Sequence, residues 1–221
     1  MKLLIKCPTR GRRNKFLQTL KKYQDSLSQK NDVHFLVSMD EDDTEMNNDL
    51  VRTVLSSYKN LQFHYSPSVS KVEAVNRDMD KISNWDIVLL ASDDMIPQVV
   101  GFDEIIINKM KEFYPDTDGV LFFNDGYMKD KLNTLCILGK NYYDRFGYIY
   151  NPEYKSVYCD NEFMEVANIL NKQTYIDEII IKHEHPDWGF GKRDKIHQEN
   201  FNNLNFDMTL YNKRKQNNFY L

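Results

Sequence analysis

The segment Asp86-Ile87-Val88-Leu89-Leu90-Ala91-Ser92-Asp93-Asp94 decides how this chain is read. Its centre is a short apolar run containing β-branched Ile87 and Val88, the pattern of a strand buried on both faces. Immediately afterwards the sequence turns polar and sets two carboxylates side by side. Adjacent carboxylates at the end of a buried strand repel each other, and a bound cation is the natural reason to keep them. Mg²⁺ and Mn²⁺ prefer oxygen ligands and leave room for phosphate oxygens. For either aspartate taken alone, a turn cap ahead of Pro97 is the plain structural alternative.

Working outward, similar β-branched and aromatic runs predict strands over residues 3–7, 33–39, 61–65, 86–91 and 119–123. Amphipathic stretches at helical spacing lie between them. One carries Phe16, Leu17, Leu20 and Tyr23, and a second carries Leu50, Val51, Val54, Leu55 and Tyr58, with Thr44 before Glu45 as its start signal. A third has Val72, Val75 and Met79; a fourth has Phe102, Ile105, Ile106 and Met110. This alternation implies βαβ units, hence an α/β fold with a mostly parallel central sheet and helices on both faces. The second half is less regular. It predicts a strand over 135–138, a short helix over 141–146, a helix over 160–170, a strand over 175–182 and a partly helical tail after Gly191. No linker or repeat interrupts the pattern, so one compact domain over 1–221 is expected.

Composition narrows the partners. The 221 residues carry 29 Lys and Arg against 33 Asp and Glu, a net charge of −4, so no basic footprint for nucleic acid is present. Aromatic residues make up 13%, which argues against disorder. The central apolar run is far short of the roughly 20 residues of a transmembrane segment, and none is expected. Cys7, Cys136 and Cys159 are widely spaced and form no CxxC pair, which disfavours a disulfide framework or a zinc site. The apolar start is too short for a signal peptide. Together these predict a cytoplasmic protein. The basic end, Lys213-Arg214-Lys215 followed by Phe219-Tyr220-Leu221, reads as a solvated, frayed terminus in preference to a membrane contact.

In an open parallel sheet, ligands bind beyond the carboxyl ends of the strands. Each predicted strand end is polar: Pro8-Thr9-Arg10-Gly11-Arg12 after the first, Asp40-Glu41-Asp42-Asp43 after the second, Ser66-Pro67-Ser68 and then Lys71 after the third, Ser92-Asp93-Asp94 after the fourth. Asp40, first off its strand, is placed to accept hydrogen bonds from a base or ribose, whereas the acids behind it suit a helix start. Asp160 heads a helix, either as a cap or as a general base facing an acceptor hydroxyl. His183 and His185 share one face at a strand's end and are candidate metal ligands, although a lone histidine is more often a surface or core residue. No GxxxxGK[ST], GxGxxG or GxSxG motif occurs. Gly189-Phe190-Gly191-Lys192 reads as a mobile loop able to close over a phosphate.

The order Pro8-Thr9-Arg10, Asp40, Lys71 before Asn76-Arg77, and Ser92-Asp93-Asp94 resembles the glycosyltransferases of the GT-A (Rossmann-like) fold, most of all the family 2 type, over about residues 1–125. The resemblance implies a metal-dependent transferase that moves a sugar from a nucleoside-diphosphate sugar, expected to be a UDP-sugar, to the hydroxyl of a glycan, lipid-linked or protein acceptor. It implies Thr9 and Asp40 on the base, with Pro8, Arg10 and Ser92 beside them, and Asp93 on the ribose. Asp94 would hold Mn²⁺ or Mg²⁺ at the diphosphate, with His183 or His185 completing the metal site. Lys71 and Arg12 would assist at the phosphates. Asp160 takes the position of the catalytic base, with Glu162 in reserve, and the reaction would invert the anomeric centre. Cys159 stands where the family has Glu, and Ser92 where it has the first Asp of Asp-x-Asp. Residues 1–125 would form the nucleotide-sugar half, and 126–221 the acceptor and catalytic half. Acceptor contacts are expected from the turn at Asn124–Tyr127, the aromatic stretch from Tyr142 to Tyr158, and Trp188. A sugar nucleotidyltransferase, or a non-catalytic nucleotide- or glycan-binding module, is the competing reading.

Overall fold

Strand β1 (Leu3–Pro8) sets the layers of the molecule, because its side chains alternate between the two faces of a sheet. Leu3, Ile5 and Cys7 enter one buried cluster and Leu4 enters the other. In the computed structural model, which describes residues 1–190 and 194–221, the first face is covered by α1 (Arg13–Asp25), α2 (Asp49–Ser56) and α4 (Phe102–Phe113). Their apolar stripes bring Phe16, Leu20, Tyr23, Val51, Leu55, Ile106 and Met110 onto the sheet. The second face is covered by α3 (Lys71–Asn76), α5 (Lys140–Asp144), α6 (Cys159–Ile169) and α8 (Leu204–Gln216), through Val72, Val75, Tyr142, Phe163, Val166 and Tyr211. A further short helix, α7 (Lys195–Phe201), precedes α8.

The main sheet has seven strands. With β2 (Val33–Asp40), β3 (Leu61–Ser66), β4 (Ile87–Leu90), β6 (Val120–Phe123), β7 (Ile137–Gly139) and β8 (Gln173–Ile176), its order is β3-β2-β1-β4-β7-β6-β8. Strands β1 to β4 run parallel, with Leu3 opposite both Val33 and Ile87. Only β7 is reversed, antiparallel to β4 and to β6. A separate ribbon pairs β5 (Met95–Pro97) with β9 (Ile181–His183), Met95 opposite His183.

Four local expectations need correction. The strand expected over 175–182 is two strands in two sheets. Asp177 accepts from Asn124 Nδ2 (2.7 Å) and the Tyr175 hydroxyl (3.0 Å), and the Glu178 N–H turns back to the Ile176 carbonyl (2.8 Å). The chain therefore leaves β8 and re-enters as β9. The second helix starts at Asp49, not after Thr44, because Asn48 caps it by accepting from the Val51 N–H (3.1 Å). Thr44 and Glu45 lie in a turn that Asp43 organises. The third helix ends at Asn76. Asp78 takes the left-handed conformation (φ 66°), and Met79 falls in a separate 3₁₀ turn. The basic C-terminus is not a frayed tail: Arg214 and Phe219 are buried against α6.

Candidate functional site

Parallel pairing brings the ends of β1, β2, β3 and β4 to one edge, and the polar loops that follow them form the rim. After β4, the two aspartates part company. Asp93 Oδ1 meets Arg12 Nη1 at 3.1 Å and Lys15 Nζ at 3.3 Å, while its carbonyl accepts from Thr19 Oγ1 at 2.9 Å. Asp94 turns instead to the β5–β9 ribbon. Ser92 Oγ donates to its Oδ1, and His183 Nε2 lies 3.6 Å from the same oxygen. Burial works to raise the Asp94 pKa, but the hydrogen bonds and charge of His183, with Ser92 and Lys15, hold it well below the ordinary carboxylate range.

This ribbon distinguishes the two histidines. His183 stands against Asp94, whereas His185 packs its ring 5.6 Å from that of His183 and 5.5 Å from Trp188. The buried His183 Nδ1 has no hydrogen-bond partner. A carboxylate and an imidazole side by side, one carrying an unused buried ring nitrogen, are a donor pair that suits Mn²⁺ and, less well, Mg²⁺. Among the described residues no group of three His, Cys, Asp or Glu is assembled to hold a metal unaided. The pair fits a cation whose remaining positions are filled by phosphate oxygens and water.

At the other end of the rim, Asp40 is buried between two arginines. Arg10 Nη1 donates to Oδ2 (2.6 Å), and Arg77 Nη2 lies 2.7 Å from Oδ1. Arg10 also reaches Asp42 (2.7 Å) and Ser68 Oγ (3.2 Å). Thr9 Oγ1 and Arg77 Nε are buried without a partner, so this end keeps unused hydrogen-bonding capacity. Gly11 turns the loop at φ +64°, a conformation that favours glycine, and its N–H donates to Asp43 Oδ2 at 2.6 Å. Arg77 is the residue that sequence reasoning missed as a site member. It reaches Asp40 only because α3 docks on the sheet and stops one residue before it.

Asp160 sits in the first turn of α6, partly exposed, accepting from the Asn161 N–H at 3.0 Å and making no ion pair among the described residues. Glu162 is not brought to the rim. It is buried, accepting from Arg214 Nε (2.8 Å), the Tyr154 hydroxyl (2.7 Å) and Asn151 Nδ2 (2.8 Å). Lys71 is exposed at the start of α3, and its charge is felt at Cys159 beside Asp160. Trp188 stacks on Tyr127 (5.0 Å, 11°) and meets the His183 ring edge-on at 4.9 Å. From the expected aromatic stretch, Tyr142, Tyr150 and Tyr154 are core residues. A cleft lies between the first turn of α1 and residues 184–190, lined among the described residues by Arg12, Arg13, Lys15, Glu184, Phe190 and Asp194. Of the expected phosphate loop, Gly191 and Lys192 lie outside the described residues.

No family model matches the sequence, and no curated protein matches it either. Solved structures do match its fold. The mannosyltransferase PcManGT from Pyrobaculum calidifontis, in complex with GDP-Man and Mn²⁺, superposes with a TM-score of 0.69 at 10% identity, over 86% of this chain and 58% of that one. TarS 1–349 of S. aureus, in complex with UDP-GlcNAc, gives 0.65 at 15% identity, over 82% and 58%. The 4-diphosphocytidyl-2C-methyl-D-erythritol synthase of Anaerococcus prevotii gives 0.55 at 12%, over 80% and 86%. The chain thus has the GT-A fold and spans little more than half the length of the first two proteins. Identities this low establish the fold alone.

Proposed function

We propose that the chain is a glycosyltransferase domain that takes a nucleoside-diphosphate sugar, with residues 1–125 holding the nucleotide and 126–221 supplying the acceptor side. The observation that carries this reading is the pairing of Asp94 with His183 across the β5–β9 ribbon, at the rim of the GT-A sheet. The base would enter between Thr9 and Asp40, and the ribose would lie toward Asp93. Arg12 and Lys15, already gathered on Asp93, bring positive charge toward the diphosphate.

Asp94 and His183 would hold Mn²⁺ or Mg²⁺, which when bound supplies positive charge to the departing nucleoside diphosphate. The chain's own residues account for the rest. Asp160, which makes no ion pair among the described residues, accepts the proton of the acceptor hydroxyl as that oxygen bonds to the anomeric carbon. The glycosidic bond to the diphosphate breaks as the new bond forms, and the anomeric centre inverts. Lys71, whose charge is felt at Cys159 beside Asp160, would assist at the phosphates. Trp188, against His183 and Tyr127, offers an aromatic edge to a sugar. Three buried free cysteines fit a reducing compartment such as the cytoplasm.

Donor hydrolysis and transfer by the full chain, assayed over UDP-, GDP- and other nucleotide sugars with Mn²⁺, test the reading. Sugar release that disappears with chelator and in Asp94→Ala is expected; inertness toward every donor overturns it. The likeness in fold to the 4-diphosphocytidyl-2C-methyl-D-erythritol synthase supports the nucleotidyltransferase reading. Pyrophosphate release from a nucleoside triphosphate and a sugar phosphate would favour that alternative.

A further inference from the structure

Lys6 lies inside β1, between β2 and β4 in the sheet, where its neighbours Leu4 and Ile5 are wholly buried, and it is wholly buried itself. Its ammonium group donates to Ser38 Oγ on β2 and, at 2.8 Å, to the backbone carbonyl of Arg77 just past α3. The Ser38 hydroxyl passes the connection on, donating to Asp78 Oδ2 at 2.5 Å, and Lys81 Nζ donates to Asp78 Oδ1 at 2.6 Å. Asp78 itself stands at φ 66°, a left-handed conformation rare for a residue with a side chain. Two consecutive residues at the exit of α3 are thus tied to Lys6, one by its carbonyl and one through Ser38. The first of them is Arg77, whose guanidinium meets Asp40 at 2.7 Å and the Pro67 carbonyl at 3.1 Å.

We propose that Lys6 is a positioning residue for the Asp40 end of the rim, where a nucleobase would bind: it holds the Arg77 carbonyl from beneath and so sets the Arg77–Asp40 pair that a nucleobase meets. The inference rests on the reading of the rim as a nucleotide site. Lys6 touches neither nucleotide nor metal; it acts through Arg77. An apolar residue at position 6 would leave the Arg77 carbonyl and the Ser38–Asp78 pair without the donor around which they are arranged.

The same geometry makes the positioning sensitive to pH. Burial lowers the Lys6 pKa to about 7; Asp78 and Cys7 work to raise it, and Arg77 and Lys81 push it further down. Ser38 from β2 and His64 from β3 complete the polar groups on this side, and burial also lowers the His64 pKa below its usual value. As the pH rises through neutrality, Lys6 loses its charge and one of its three donors. The hold on the Arg77 carbonyl weakens, and so does the base-dependent part of nucleotide binding.

Calorimetric titration of the full chain with UDP, GDP and inorganic pyrophosphate, each with Mg²⁺ between pH 6 and 8.5, tests this. In the unmodified protein, the affinity of the better nucleotide relative to pyrophosphate should fall about fivefold or more across that range. In Lys6→Met the ratio should be low at pH 6 and flat, with pyrophosphate binding unchanged. Lys81→Met removes an exposed cation that disfavours the Lys6 proton, so the fall should move to higher pH. His64→Gln should leave the profile in place. A wild-type ratio that does not change with pH overturns the proposal, as does a Lys6→Met protein with the wild-type ratio and profile. If Lys6→Met does not fold, the unmodified protein and Lys81→Met decide the matter. If neither nucleotide binds better than pyrophosphate at any pH, the nucleotide reading fails, and this inference with it.

Discussion

Asp160 and Glu162 stand two positions apart on α6, so their side chains leave the helix roughly 200° apart. That separation explains why one is partly exposed and the other is in the core, and it gives them opposite predicted roles. Asp160→Asn keeps the shape and removes the base. Transfer should fall about 10²- to 10⁴-fold, while UDP or GDP affinity measured by titration stays as it was. Glu162→Gln should do the reverse. It leaves the buried Arg214 guanidinium with the exposed Glu153 in place of its buried carboxylate partner, at a cost of about 3 kcal/mol in urea unfolding, and turnover per folded molecule should hold. Equal loss of turnover in both variants would contradict this assignment. That Asp40 ends a strand, that Asp160 opens a helix and that Asp94 lies in the loop after β4 was legible because local runs mark each of those boundaries. The choice of His183 over His185 was not. It depends on β9 pairing with β5, which lies more than eighty residues earlier in the chain, and no local pattern encodes that register.

The C-terminal helix shows how an element without an apolar stripe can still be integral to the fold. Asp207 on α8 is wholly buried, and its carboxylate accepts from the N–H groups of Lys155, Ser156 and Val157, each at 2.9 Å. Those three residues lead into α6 and Asp160. Arg214, on the same helix, closes on Glu162 and Glu153. Helix α8 therefore fixes the approach to the proposed base through polar contacts, and hydropathy periodicity cannot register contacts of that kind. Asp207→Ala removes the acceptor of three backbone donors, one buried and two partly so, and about 2–4 kcal/mol of stability should be lost. Amide exchange at 155–157 should quicken more than exchange in β1 or β2. Because the proposed nucleotide end is built from other elements, nucleotide affinity should change less than transfer. Uniform acceleration of exchange throughout the chain would show that α8 supports the whole domain equally and the α6 approach no more than the rest. The broken strand over 175–182 teaches the same lesson. Its β-branched residues do form strands, but Asp177 and Glu178 turn the chain between two sheets, and alternation alone reads straight across such a turn.

At the scale of the whole molecule, the α/β fold and the location of its rim were legible because both follow from local runs combined with one topological rule, that parallel strands end on the same edge. The reversed β7, the ribbon and the buried charges were not, since each is settled by pairings between distant segments. Lys6 is the clearest case, a cation inside the interior strand β1 at a position that every local criterion would expect to be apolar. It also gives the stability of the protein a particular pH dependence. The native Lys6 pKa is about 7, and in the unfolded chain it returns to the ordinary value of about 10.4. Between those values the unfolded chain holds a proton that the native protein lacks, so this group makes stability rise with pH, at up to about 1.4 kcal/mol per pH unit. Cys7, Cys136 and Cys159 oppose it at higher pH. Burial raises their thiol pKa values, so above the ordinary thiol range the unfolded chain loses protons that the native state keeps. The window in which Lys6 dominates is therefore about pH 7 to 8.5. The midpoint of thermal unfolding should climb across that window in the unmodified protein and stay level in Lys6→Met, even as the relative affinity for nucleotide falls in the former. A parallel climb in both proteins would assign the pH dependence to another group.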